Sequence, residues 1–285
     1  MLDLDEARAP AATRDAATLV LVRDAAAGGL EVFCVERHKK SGFLGGAVVF
    51  PGGKLDEQDR GPAWRALSTP LRARATTSAG EDDDTLRALA IAACRETLEE
   101  AALLPVEGAR LSHDALLALR ARLAGGETFR ALISARGLRL DLTALHPFAR
   151  WVTPVAEARR FDTRFFLAAV SIDDRGAHDE RETTSSFWAS PADVLVRFDA
   201  GALQLAPPTH RTLELLAQRA NARDALAWTA SACLDPICPV LVRQGDTLVL
   251  ALPGDPEHDV REMRVPGASR FVLRGERWLP ESARE

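Results

Sequence analysis

The stretch that most limits what this chain can become runs from Thr85 to Leu103. Leu86, Leu89, Ala90, Ala93 and Leu98 recur at helical spacing, and the helix stops before Pro105. The acids Glu81-Asp82-Asp83-Asp84 gather at its start, where they favour the positive end of the helix dipole. Near its far end, in Arg95-Glu96-Thr97-Leu98-Glu99-Glu100-Ala101-Ala102-Leu103, the glutamates stand at i, i+3 and i+4. That spacing puts all three carboxylates on one helical face. Like charges that close repel unless a cation lies among them. Ligands that offer only oxygen suit a hard divalent ion, Mg²⁺ or Mn²⁺. An isolated E-x-x-E-E reads most simply as a solvated acidic face. What changes that reading is Pro51-Gly52-Gly53-Lys54-Leu55-Asp56 upstream.

A chain of 285 residues holds one large domain, or one domain with an appendage, and its 47% apolar content is ample for a core. A net charge of −5 argues against nucleic-acid binding, which asks for a basic face. The three lysines, Lys39, Lys40 and Lys54, lie close together beside the Gly-rich stretch, where positive charge would serve a phosphate. Cys34, Cys94, Cys233 and Cys238 lack zinc-ligand spacing and read as buried thiols in a reducing compartment. The acidic N-terminus is unlike a signal peptide, no apolar run approaches membrane-spanning length, and the last residues carry no address signal. The expectation is a cytoplasmic protein with no membrane and no nucleic-acid partner.

Along the chain, residues 1–15 read as a flexible N-terminus. Strands are expected at Ala17–Arg23, Leu30–Arg37 and Ala47–Phe50, the last ended by Pro51-Gly52-Gly53. A short helix near Ala63–Leu67 precedes the acidic helix. Further helices are expected at Ser112–Leu123 and Glu127–Arg136, with a strand at Leu138–Leu142. Strands at Ala149–Thr153, Thr163–Ile172 and Ser185–Ala189 lead to a helix after Ser190-Pro191. Helices at Pro208–Ala220 and Ala222–Ser231 precede an antiparallel meander, Pro239–Arg243, Thr247–Leu252 and Arg270–Arg274. No repeat and no linker divides the chain.

A Gly-Gly turn after a strand lets backbone approach phosphate or the carboxylate helix with no Cβ in the way. Metal held by the helix would neutralise two phosphates and supply a water of lowered pKa. Basic residues before the turn, Arg37, His38, Lys39 and Lys40, would bind the remaining phosphate oxygens. Together these parts make a diphosphate-cleaving site.

The residues resemble the box of the Nudix hydrolases, G-x5-E-x7-R-E-U-x-E-E-x-G-U with U aliphatic. Gly53 matches the first glycine, Asp59 falls at the first acidic position, and Arg95, Glu96, Glu99 and Glu100 match the second half. Three departures stand out: 35 residues separate Asp59 from Arg95 where the box has seven, Thr97 replaces an aliphatic residue, and Ala102 replaces glycine. The interruption resembles the branch that contains the mammalian peroxisomal coenzyme A diphosphatase. Arg150-Trp151-Val152-Thr153-Pro154, Arg159-Arg160-Phe161-Asp162-Thr163-Arg164-Phe165-Phe166 and Trp188-Ala189-Ser190-Pro191 extend the likeness.

The resemblance implies an α/β fold: the Nudix α/β/α sandwich with a mixed sheet, an insertion inside the box, extra helices and a C-terminal β meander. The domain would span 16–285, with the insertion near 60–84 and a C-terminal extension over 205–285. Glu96, Glu99 and Glu100 would bind metal and activate water, Gly52 and Gly53 would approach the phosphates, and Arg95 would pair with Asp59 to orient the helix. A further glutamate commonly joins such a site; Glu182 is the candidate and Glu180 the runner-up. Arg160 reads as a structural partner of Asp162, and His146 and His210 as structural. The implied substrate is a nucleoside diphosphate derivative, coenzyme A or acyl-CoA, with ADP-ribose, NADH or a nucleotide sugar as alternatives. A Nudix fold kept as a ligand-binding module would be expected to lose the helix glutamates, which are present here. A homodimer is compatible with all of this.

Overall fold

The computed structural model describes residues 4–5, 9, 11–38, 45–72, 82–179 and 183–283. Alternation along the first strand, β1 (Arg14–Asp24), sets the layers. Leu19 and Leu21 enter one apolar cluster, while Val20 and Val22 enter another on the opposite face. The sheet is therefore covered on both sides.

β1 pairs antiparallel with β2 (Leu30–Arg37) and parallel with β6 (Phe161–Ala169), so the sheet is mixed. Beyond β2 lies β3 (Ala47–Val49), and β6 pairs antiparallel with β5 (His146–Val152). β4 (Gly52–Lys54) adds to β1, and β7 (Thr183–Ala189) to β2. Two short strands, β8 (Gln204–Leu205) and β9 (Pro236–Ile237), extend the edges through β3 and β5. Gly52 and Gly53, expected to end a strand, form one of their own because their backbone reaches the free stretch of β1 from Ala16 to Thr18.

One face carries α1 (Trp64–Leu67), α2 (Asp83–Ala101), α3 (His113–Ala124) and α4 (Phe129–Ala135). α2 is the acidic helix. Asp82 caps it by accepting from the N–H groups of Asp84 and Thr85, and Ala102 ends it in the left-handed region at φ 49°. Glycine takes that conformation freely, whereas a residue with a Cβ adopts it at about 1–2 kcal/mol. The other face carries α5 (Pro191–Asp199), α6 (Pro207–Leu216) and α7 (Ala222–Trp228).

The same side receives a second sheet, the antiparallel meander β10 (Val240–Gln244), β11 (Thr247–Ala251), β12 (Arg270–Arg274) and β13 (Arg277–Glu281). Leu250, Phe271 and Trp278 anchor it in the core. Asp255, fully buried, receives both arms of the Arg270 guanidinium at 2.6 and 2.8 Å and the Ser269 hydroxyl at 2.5 Å. Burial alone would push the Asp255 carboxyl up, but Arg270, Ser269 and the Glu257 N–H hold it below the usual range.

Several expectations change. Leu138–Leu142 is no strand: Leu140 makes isolated bridges to Ser68 and Val106, and Asp141 caps a turn of 3₁₀ helix over Leu142–Ala144. β13 was not anticipated. At the N-terminus Arg14 and Asp15 lie in β1, and Leu4 bridges Glu157. Arg160 does not pair with Asp162. It donates to the carbonyls of Thr153 and Ala11, while Asp162 takes Arg150 and Arg164. Cys34 and Cys94 are buried, and burial pushes the Cys34 thiol up to about 12, but Cys233 and Cys238 are only half-buried. Among the described residues no helix is long and apolar enough to cross a membrane.

Candidate active site

Two elements build the centre of the site. α2 presents Glu96, Glu99 and Glu100, with side-chain exposures of 16%, 40% and 5%. β4 runs beside it, so Gly52 and Gly53 lie between β1 and the helix. A Cβ on Gly53 would sit 2.4 Å from the Glu96 carboxyl carbon, and one on Gly52 would sit 2.6 Å from the Ala17 carbonyl oxygen. At Gly52 only glycine fits, and at Gly53 a Cβ fits only if the Glu96 carboxylate moves. The Gly52 N–H donates to Glu100 at 3.1 Å, and an Arg37 nitrogen lies 4.0 Å from the other Glu100 oxygen.

Arg95 organises the acids. Its guanidinium forks onto Asp59 with two bonds of 2.9 Å, donates to the Lys54 carbonyl at 2.9 Å, and reaches Glu96 at 2.8 Å and Glu99 at 3.2 Å. Asp59 is itself locked: its other role is to accept the Asp56 N–H, closing a capping box over Glu57–Asp59. Burial acts to strip Arg95 of its charge, but the Asp59 bonds and the fields of Glu96, Asp59 and Glu99 outweigh it. Burial pushes the Glu96 carboxyl up to about 7; Arg95 pulls it down and Glu99 pushes it up. The helix end thus carries more negative charge than its one buried cation offsets.

These residues open on a cavity of about 390 Å³. Arg37, Gly52, Gly53, Lys54 and the three glutamates line part of it. The rest is mostly apolar and was not anticipated as a site: Phe50, Trp151, Pro154, Phe161, Pro207 and Leu250 face it, with Thr18, Thr153, Thr163 and Thr209 among them. The signal for it lay in Arg150–Pro154 and Arg159–Phe166, two stretches that carry the family resemblance. Lys39, Lys40, Glu180 and Glu182 lie outside the described residues. His146 and His210 stand away from this cavity's lining. Burial lowers the His146 ring to about 4, helped by Arg72, and His210 is buried between the rings of Phe198 and Phe271.

The sequence profile of the NUDT19 Nudix domain matches residues 13–216, well over half of the chain. The chain belongs to the Nudix family. It is similar to the acyl-coenzyme A diphosphatase NUDT19 of Gallus gallus, at 28% identity over 79% of this chain and 72% of that protein. The protein of the same name from Homo sapiens is also 28% identical, over 80% of this chain and 72% of that one. Among solved structures, a NUDIX hydrolase from Alicyclobacillus acidocaldarius superposes with a TM-score of 0.65 at 37% identity, covering 76% of this chain and 96% of that one. The sandwich, its mixed sheet and the C-terminal antiparallel sheet are thus a Nudix fold with an added layer.

Nudix hydrolases use divalent cations. The donor chemistry of α2 fits one: carboxylate oxygens only, crowded within about one helical turn. As they stand, no three described Asp, Glu, His or Cys side chains surround a common point, because Glu96 and Glu99 turn toward Arg95.

Proposed function

We propose that this Nudix protein hydrolyses the diphosphate of coenzyme A or acyl-CoA, releasing 3′,5′-ADP and (acyl-)4′-phosphopantetheine. The observation that carries the reading is one cavity lined by Arg37, by the three glutamates of α2 and by an apolar wall. It offers cationic, carboxylate and hydrophobic surfaces to one ligand. The names of the similar proteins support the same substrate class.

In this reading Glu99 and Glu100 are the chief ligands of Mg²⁺ or Mn²⁺, with Glu96 as ligand or water-orienting base. The bound ion supplies charge neutralisation and a water of lowered pKa. Arg37, with Lys39 and Lys40, holds phosphate oxygens, and Glu182 joins the glutamates. Gly52 and Gly53 keep the floor clear, and the Asp59–Arg95 fork holds α2 in register with β4. Residues 16–285 act as one domain, with 60–84 as the insertion in the box.

The test is a substrate panel of coenzyme A, octanoyl-CoA, ADP-ribose, NADH and a nucleotide sugar, with and without Mn²⁺ or Mg²⁺, and products identified by mass. We expect metal-dependent cleavage of the two coenzyme A compounds. Hydrolysis of ADP-ribose with coenzyme A left uncut overturns the substrate. Replacing Glu99→Gln with Glu100→Gln should lower turnover by at least about a hundredfold. Unchanged turnover overturns the metal assignment.

A further inference from the structure

The cavity beside α2 has two unlike walls, contributed by different parts of the fold. Among the described residues the charged lining, Arg37, Lys54, Glu96, Glu99 and Glu100, comes from β2, β4 and α2. On the β6 and β5 side the lining turns mostly apolar: Trp151 and Phe161 from the sheet, Pro154 after it, Pro207 at the start of α6, and Pro239 and Leu250 from the C-terminal segment.

Two features say what this second wall accepts. Proline has no N–H, so Pro154, Pro207 and Pro239 remove hydrogen-bond donors from the surface. Of the threonines on this wall, Thr153 is already engaged, since its hydroxyl accepts the Phe161 N–H at 3.0 Å and its carbonyl accepts from Arg160 at 3.1 Å; Thr163 and Thr209 add only two hydroxyls to a surface otherwise built of apolar side chains. A nucleobase would find only threonine hydroxyls for its polar edge there, and among the described residues of this wall a ribose 3′-phosphate would find no cation. A hydrocarbon chain asks for neither, and gains from leaving water.

We infer that this wall is a subsite for the acyl chain of the substrate, and that the C-terminal segment, through Pro239 before the sheet and Leu250 in it, sets chain preference. The inference rests on the coenzyme A reading of the same site. It gives the added sheet a task in specificity besides its packing: Leu250 belongs to the core cluster and also lines the cavity.

The experiment is calorimetric titration of the full chain in EDTA, which stops turnover, with 3′,5′-ADP, coenzyme A, hexanoyl-CoA and decanoyl-CoA. Decanoyl-CoA should bind at least about tenfold more tightly than coenzyme A, with hexanoyl-CoA between them. Leu250→Ala and, separately, the half-buried Phe161→Ala should each reduce the decanoyl-to-coenzyme A affinity ratio by about tenfold. Thermal melting shows that each variant is folded, and Phe161→Ala stands as the test should Leu250→Ala unfold. The kcat/KM ratio of the two substrates with Mn²⁺ should fall in parallel. Affinity indifferent to chain length, or equal weakening of both ligands in the variants, overturns the subsite while leaving the coenzyme A reading intact. Wild-type protein that binds none of the four ligands overturns both.

Discussion

Gly52 and Gly53 are neighbours in the chain with different reasons to be glycine. At Gly52 an added Cβ meets backbone, the Ala17 carbonyl at 2.6 Å and the Thr18 Cα at 2.8 Å, and backbone cannot swing aside. At Gly53 it meets only the carboxylate end of Glu96, which can turn. Gly53→Ala should therefore keep the melting temperature within about 2 °C while lowering kcat about a hundredfold, because a group misplaced by an ångström loses that much. Gly52→Ala should instead lower the melting temperature. A Gly53→Ala protein with full activity would show that the Glu96 position is immaterial.

At the scale of elements, the acidic helix is held by one ion pair that bridges the interrupted box. Asp59 lies on a 3₁₀ turn and Arg95 on α2, separated by the inserted segment, yet both side chains are nearly sealed from water, at 0% and 6% exposure. Asp59→Asn leaves the guanidinium buried without its anion, which should cost about 3 kcal/mol in urea unfolding. It also frees Arg95 to draw Glu96 and Glu99 closer, so activity should fall with stability. Equal urea midpoints for the two proteins would show that Glu96 and Glu99 already compensate the charge. The described start of the insertion packs beside the Asp59 turn: Trp64, fully buried, donates its indole N–H to the Gln58 carbonyl at 2.9 Å and lies against Phe129, with ring centroids 5.5 Å apart.

For the whole molecule, the C-terminal sheet is an added layer whose β11–β12 connection is held to β12 by the Asp255–Arg270 pair. The Asp255 carboxyl is held low, so its contribution is present above the unfolded carboxylate value of about 3.9 and disappears as pH falls through the lower folded value. Asp255→Asn should lose about 3 kcal/mol at pH 7, and the gap to wild type should close below about pH 4, measured by urea unfolding against pH. A gap that stays constant down to pH 3 would mean the pair carries no linked stability.

Much of this was legible in residue order, and the reason is local. The period of Leu86 to Leu98, the acid cap and the i, i+3, i+4 glutamates all depend on residues within a few turns of one another. The box resemblance then tied Gly53, Asp59 and Arg95 to that helix across the insertion. The misses have a common cause. β4 exists because β1 offers it an unpaired edge, Leu138–Leu142 fails as a strand because Asp141 caps a turn instead, and Arg160 passes Asp162 by because Arg150 and Arg164 reach it first. Sequence alone determined the helix, its charge and the family chemistry that charge implies. Only the tertiary structure decided what surrounds it, since Phe50, Trp151, Phe161, Pro207 and Leu250 become neighbours through the packing of two sheets and a helix layer. Hydrophobic burial has no direction along the chain, so no local pattern could announce which distant residues would share one cavity.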